Sequence, residues 1–178
     1  MYGIIATWRM ALEGISKADS MLKNNESAAD SIEEAIKAVE DFEYYKSVGY
    51  GGLPNEEMEV ELDAAFMDGD TLEFGCVGGV KDFANPVSIA RSLMHYDANN
   101  FLIGQGAEKY ASRHGFERKT MLTDRAKIHY HNRTKEITNT ELKPYSGHDT
   151  VGMVCLDTAG HMTCATSTSG LFMKHPGR

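Results

Sequence analysis

GHDTVGMVCLDTAGHMTCATSTSG, residues 147–170, carries the strongest structural signal in this chain. Val151, Met153 and Cys155 recur at every second position, which is the period of a β-strand. The turn-forming residues Asp-Thr-Ala-Gly follow at 157–160, and a run of apolar and hydroxyl residues then leads back. We therefore predict a β-hairpin whose returning strand is buried on both faces.

The returning strand ends in a cluster of hydroxyl side chains, Thr166, Ser167, Thr168 and Ser169. In a hairpin these hydroxyls return beside the first residue of the opening strand, Thr150. Taken by itself, each half of this arrangement has an ordinary explanation. Asp and Thr at a loop-to-strand junction commonly form turns or caps, and hydroxyls are common at a polar strand end.

The rest of the chain alternates strand and helix patterns, and we predict an α+β layered domain. Residues 117–147 are polar and are predicted to form a mobile loop, with at most one helical piece around 123–131. Capping boxes at Ser27 or Ser31 and an Asn85–Pro86 pair mark two helix starts. The predicted strands are 3–7, the alternating stretches 58–62 and 72–76 around an Asp-Gly-Asp turn, and 101–103. Four helices are predicted: a stretch with Trp8, Leu12, Ile15 and Leu22 on one side, one over 27–42, one that begins at Pro86, and one that ends near Gly115.

Composition excludes several classes of protein. The chain has 178 residues, 42% hydrophobic and 25% charged, which is typical of one globular domain. No apolar run reaches the length of a membrane span, and the net charge of −8 repels nucleic acid. Three widely spaced cysteines and the absence of a basic, apolar leader favour the cytoplasm, or a lysosomal or periplasmic site if a leader was removed. No cofactor or metal site is predicted.

Several motifs in order resemble one family. GHDTVGMV, TSTSG and HPGR are similar to the processing-site and substrate-pocket motifs of glycosylasparaginases, which belong with type-2 asparaginases and isoaspartyl peptidases among the N-terminal nucleophile hydrolases. The resemblance covers almost the whole chain and continues upstream through ATW, VGYGGLPNEE, LDAAFMDGDT and VGGVKDFANPVSIAR. It implies a four-layer αββα sandwich, incomplete in this chain, in which Thr150 opens a central strand.

The resemblance also implies self-processing. Within the motif His148-Asp149-Thr150, the hydroxyl of Thr150 would attack the carbonyl group of Asp149. Hydrolysis would then separate an α subunit, residues 1–149, from a β subunit that starts at Thr150 and includes residues 150–178. A threonine that becomes an N-terminus has its own α-amine as the base that activates it. The product would be an α/β heterodimer, with a further dimerisation of that unit as a possibility, that acts on a small-molecule amide.

Three further residues match family positions. Thr168 corresponds to the threonine whose hydroxyl supports the nucleophile and the processing step. Arg178 corresponds to the arginine that binds the substrate α-carboxylate, a task that suits a bidentate guanidinium. Trp8 corresponds to a pocket-wall tryptophan and favours the glycosylasparaginase branch. Without the motifs, Arg178 reads as a solvated terminal residue and Trp8 as a core aromatic.

The family pattern continues beyond the position of Arg178 with an acidic residue for the substrate amino group and a Thr-Gly pair for the oxyanion. Because the sequence ends at Arg178, we expect the first portion of a precursor that does not turn over substrate alone.

The leading hypothesis for the function is a glycosylasparaginase. One alternative is an asparaginase or isoaspartyl peptidase with the same chemistry. Another, of a different class, is an inactive truncated relative or an association module.

Overall fold

The computed structural model describes residues 1–96, 98–136 and 150–178 as an α+β domain built on one mixed sheet. Six strands lie in the order β1-β5-β6-β2-β3-β4, and every neighbouring pair is antiparallel except β3 and β4. The predicted fold class is confirmed. The strands are β1 (Gly3–Ala6), β2 (Leu62–Asp68), β3 (Phe74–Val80), β4 (Phe101–Ile103), β5 (Val151–Leu156) and β6 (Met162–Thr168). The helices are a 3-10 turn (Arg9–Ala11), α1 (Leu12–Lys23), α2 (Ala28–Glu40), α3 (Pro86–Leu93), α4 (Gly104–Arg113) and α5 (Asp124–Glu136).

One face of the sheet packs against helices. Helix α2 is amphipathic, and Ser27 caps it by accepting a hydrogen bond from the backbone N–H of Asp30. This is one of the two helix starts that the sequence predicted. Buried positions alternate with half-buried or exposed ones along β2, β5 and β6, and a single apolar cluster joins this face of the sheet to α1, α2, α3 and α4. Ile32 and Ile36 from α2, Phe66 from β2 and Met153 from β5 belong to this core.

The other face of the sheet is open in the part of the chain that the structure describes. Val154 of β5 is 43% exposed, and an apolar hollow of about 510 Å³ is lined by Ala65, Met67, Phe74, Cys76 and Cys164, among others. The prediction that the returning strand β6 is buried on both faces is therefore wrong, because Cys164 lines this hollow and Met162 is 47% exposed. An αββα sandwich has a second sheet on this face, and residues 1–96, 98–136 and 150–178 form one helical layer and one sheet.

Helix α3 begins differently from the prediction. Pro86 occupies the first helical position, as expected, but the side chain of Asn85 makes no capping bond to its own helix. Instead the buried carboxyl group of Glu40, from the end of α2, accepts hydrogen bonds from Val87 N–H (3.1 Å) and Asn85 Nδ2 (3.3 Å). A side chain distant in sequence thus takes the place of the local cap.

Other sequence-based boundaries shift. The strand predicted from Met58 onward begins only at Leu62, the first residue of β2. Met58 itself has a φ of 63°, which is not a strand conformation. Phe42 lies beyond the end of α2, and the edge strand β4 leaves Phe101 61% exposed. The helical piece predicted around 123–131 is α5, which runs from Asp124 to Glu136. Residues 137–147 of the predicted mobile loop lie outside the described residues. Among those described, no helix is long and apolar enough to cross a membrane.

Candidate active site at one end of the sheet

Thr150 stands immediately before β5 and is exposed. Val151 pairs with Ser167 in the antiparallel β5–β6 ladder, so one further step of the same register places Thr150 beside Thr168. Alternation along the strands directs both side chains to the open face of the sheet. The predicted return of the hydroxyl-rich strand to the start of β5 is therefore confirmed.

Thr7 fixes the backbone at the start of β5. Its hydroxyl donates to the carbonyl oxygen of Thr150 (2.9 Å) and accepts from the N–H of Gly152 (2.9 Å), while its own N–H donates to the Gly152 carbonyl (2.9 Å). The N-terminal strand β1 thus holds Thr150 from the side opposite to β6. Sequence analysis overlooked Thr7; its position in the ATW motif was the signal that could have identified it.

Thr168 ends β6 and joins two loops. Its hydroxyl donates to the carbonyl oxygen of Ser47 (3.2 Å) and accepts from the N–H of Gly170 (3.0 Å). The N–H of the next residue, Ser169, also donates to Ser47 O, at 2.6 Å. The glycine-rich loop around residue 49 is therefore bound to the end of the strand that carries Thr168. Nothing in the local sequence around Ser47 predicts this contact.

A carboxyl group lies next to Thr168 on the neighbouring strand. Asp63 of β2 is the register partner of Thr168, and its Oδ1 accepts a hydrogen bond from Gly79 N–H (2.8 Å). Burial raises the pKa of Asp63, against the opposing effects of the Gly79 bond and of the Lys174 ammonium. Two further buried charges, those of Glu61 and Lys174, lie 3.6 Å apart.

Arg178 is exposed and follows Gly177, whose N–H donates to both carboxylate oxygens of Glu61 at 2.9 and 3.1 Å. Because Glu61 directly precedes β2, this contact brings the Arg178 segment to the same end of the sheet as Thr150 and Thr168. A pocket of about 440 Å³ on this side is lined by Glu61, Asp63 and Gly177, together with residues of β3, β4 and α4. Sequence analysis did not identify Glu61 or Lys174.

Trp8 is also at this end, directly after Thr7. Its side chain is 55% exposed, so it is not the core aromatic that was the alternative interpretation. Its backbone adopts φ 63° and ψ 151°, a combination that is strained for a residue with a large side chain. Trp8 therefore lies outside the helical stretch that was predicted to include it, since the 3-10 turn begins at Arg9. His148 and Asp149, which were predicted to take part in processing, lie outside the described residues. No group of three His, Cys, Asp or Glu side chains among those described is placed to bind a metal ion.

An α+β sheet in which a threonine opens an inner strand is the arrangement of the N-terminal nucleophile hydrolases. Within that class, the asparaginase family model matches residues 6–178, and the chain belongs to the type-2 asparaginase family.

Curated relatives carry three related names. The N(4)-(beta-N-acetylglucosaminyl)-L-asparaginase of Elizabethkingia miricola is 33% identical over 98% of this chain and 51% of its own length. The isoaspartyl peptidase/L-asparaginase of Rattus norvegicus is 36% identical over 93% of this chain and 52% of its own length, and the isoaspartyl peptidase of Escherichia coli is 33% identical over 92% and 54%. The chain therefore spans about half the length of these relatives.

Proposed function

We propose that this chain provides the nucleophile and one wall of the substrate pocket in a self-processing amidohydrolase that cleaves the side-chain amide of asparagine derivatives. The observation that carries the proposal is the position of Thr150. It opens β5 on the open face of the sheet, beside Thr168 and at the same end as Arg178 and Trp8.

In the processing step, the Thr150 hydroxyl attacks the carbonyl carbon of Asp149. The Asp149–Thr150 amide shifts to an ester on Thr150 Oγ1, and the nitrogen becomes a free amine. Water then hydrolyses the ester, which releases the Asp149 carboxylate and regenerates the hydroxyl. The new α-amine has an ordinary pKa of about 7.7 to 8.0, which suits a general base near neutral pH.

In the catalytic step, that amine takes the proton of its own hydroxyl as Thr150 Oγ1 attacks the side-chain amide carbon of the substrate. The leaving amine carries the proton away, and a β-aspartyl ester remains on Thr150 until water resolves it. Arg178 binds the α-carboxylate of the substrate through two parallel N–H···O bonds. Thr168 supports the nucleophile, and Trp8 forms part of the pocket wall.

The sheet order supports a processed enzyme whose two parts stay together. The β5–β6 hairpin lies between β1 and β2, and both of those neighbours belong to the portion that precedes Thr150. A cut between Asp149 and Thr150 would leave the hairpin hydrogen-bonded on both sides. We therefore propose an α/β heterodimer after cleavage.

The preferred substrate is an asparagine whose side-chain nitrogen carries a sugar. The half-exposed indole of Trp8 supports this choice, because an aromatic ring at the same end of the sheet as the nucleophile offers a flat apolar surface to a pyranose. The second candidate is a β-aspartyl peptide or free asparagine, in keeping with the names of the relatives in rat and Escherichia coli.

Intact-mass measurement tests the processing step in the full-length protein that contains residues 1–178. We expect a break between Asp149 and Thr150, and none in Thr150→Ala, which should also lack turnover. Thr158→Ala is the matched control, since Thr158 lies in the turn at the far end of the same hairpin and its hydroxyl contacts Asn25. An unbroken wild-type chain would refute the mechanism.

Parallel assays with a glycosylated asparagine, free asparagine and a β-aspartyl dipeptide distinguish the two substrate candidates.

A further inference from the structure

Glu61 and Lys174 form an ion pair in the interior of the protein. Their residues are only 4% and 1% exposed, and Lys174 Nζ lies 3.6 Å from Glu61 Oε2. Within the described part of the chain the Lys174 ammonium has no hydrogen-bond partner, so its attraction to the Glu61 carboxylate is the main interaction that offsets its loss of hydration. A buried pair of this kind adds little net stability, because the loss of hydration offsets the attraction between the charges. Its position in the fold indicates another role.

Glu61 is bound to the segment that carries Arg178. Both of its carboxylate oxygens accept from the N–H of Gly177, at 2.9 and 3.1 Å. Gly177 has a φ of 80°, a left-handed conformation that glycine adopts without strain, so the chain turns sharply just before Arg178. The carboxylate therefore fixes the peptide unit one residue before the guanidinium-bearing residue.

Three more contacts join the same two segments. Met173 N–H donates to Pro54 O (3.0 Å), and Glu56 N–H donates to Lys174 O (2.9 Å). His175 Nδ1 lies 2.7 Å from Glu56 Oε1 on the surface. These contacts reach only as far as Lys174 and His175. The Glu61–Gly177 hydrogen bonds therefore connect the turn before Arg178 to the segment that precedes β2.

We infer that Glu61 is a positioning residue for Arg178, and that Lys174 is the counter-ion of its buried carboxylate. The inference rests on the proposed function, because it gives Arg178 the task of binding the substrate α-carboxylate. Arg178 has a long, flexible side chain, so a fixed backbone before it reduces the conformational freedom that is lost on binding. Glu61 itself does not touch the substrate.

The test compares two double variants of the full-length protein. Glu61→Leu/Lys174→Met replaces both charges with apolar groups of similar size, which preserves the fold but removes the acceptor for Gly177 N–H. Glu61→Gln/Lys174→Met also removes both charges but keeps a carbonyl acceptor. Lys37→Met, which breaks the Lys37–Glu34 pair on α2 away from the site, is the control for the loss of an ion pair.

With L-asparagine as the probe, we expect KM to rise about tenfold in the Leu/Met variant while kcat stays within about threefold of the wild-type value. The Gln/Met variant should return KM to within about threefold of wild type. With β-alaninamide, which lacks the α-carboxylate, kcat/KM should be the same in both variants and in the wild type.

The outcomes separate the two proposals. A wild-type protein that neither breaks before Thr150 nor hydrolyses any of the amides overturns the proposed function, and the role of Glu61 with it. An active wild type with an unchanged KM in the Leu/Met variant overturns the role of Glu61 alone. So does an equal loss of activity on both substrates, because a purely structural defect does not distinguish a substrate with an α-carboxylate from one without.

Discussion

The hydroxyl of Thr7 donates a 2.9 Å hydrogen bond to the carbonyl oxygen of Thr150 and accepts one of 2.9 Å from Gly152 N–H. One side chain thereby bonds to the two peptide units on either side of Val151, the first of which begins with the carbonyl group of Thr150. Thr7→Val keeps the shape but removes both bonds. If the scissile bond needs this support, cleavage should slow by about tenfold, which corresponds to about 1.4 kcal/mol of barrier.

Mass spectrometry at intervals after refolding follows this cleavage. Thr7→Ser, which keeps the hydroxyl, is the control and should be processed at close to the wild-type rate. A wild-type rate in Thr7→Val would show that the two hydrogen bonds are irrelevant to processing.

Thr168 provides a second test, because its hydroxyl joins Ser47 O to Gly170 N–H. Thr168→Val removes both contacts beside the nucleophile and should reduce kcat by about a hundredfold or more, the scale expected for loss of a group that supports the reacting atoms. Thr163→Val is the matched control: Thr163 is a buried residue on the same strand, at the opposite end of the sheet. Equal activity losses in the two variants would argue against a special role for Thr168.

Local patterns predicted the elements of the fold well where short-range chemistry determines them. The alternation in β5, the Ser27 cap and the proline at the start of α3 all depend on neighbours within a few residues, and each was confirmed. The juxtaposition of Thr150 and Thr168 followed from hairpin geometry alone. The roles of Arg178 and Trp8 stay predictions that came from the family resemblance.

Contacts between distant segments could not be predicted from these patterns. Glu40 caps a helix that begins 46 residues later, and Glu61 meets Gly177 across 116 residues of sequence. Glu61 stands in an alternating acidic and apolar stretch, which indicates an exposed side chain, yet it is buried because Lys174 arrives from the end of the chain. Exposure of Met162 on β6 was missed because apolar residues on both faces of a strand normally indicate burial on both faces.

Gly75 permits helix α3 to approach β3 closely. A Cβ at this position would lie 2.0 Å from the carbonyl oxygen of Ala90 and 2.8 Å from the N–H nitrogen of Met94, both backbone atoms. Gly75→Ala should therefore lower the free energy of unfolding by about 1 to 3 kcal/mol, as overpacking does in other cores. Urea unfolding measures the change.

The matched control is Gly106→Ala in α4, where an added Cβ meets no atom within 4 Å. Alanine is the better helix former, so this variant should be more stable by about 0.5 to 1 kcal/mol. A Gly75→Ala protein as stable as the wild type would contradict the close packing of α3 on β3.

Glu40 makes stability depend on pH in an unusual direction. Its carboxyl group is fully buried, and burial raises its pKa from 4.5 to about 8. The folded protein therefore binds more protons than the unfolded chain between these two values. The stabilisation is complete below pH 4.5 and is lost as the pH rises towards 8, with a limiting slope of about 1.4 kcal/mol per pH unit from this group.

Glu40→Gln should remove this slope, because the amide keeps an acceptor for Val87 N–H but does not ionise. Guanidinium unfolding of both proteins at several pH values from 5 to 8 gives the difference between their free energies of unfolding, in which the titration of all other groups cancels. That difference should shift in favour of Glu40→Gln as the pH rises. A difference that is constant across this range would mean that Glu40 ionises at the same pH in the folded and unfolded protein, and that its burial does not govern its protonation.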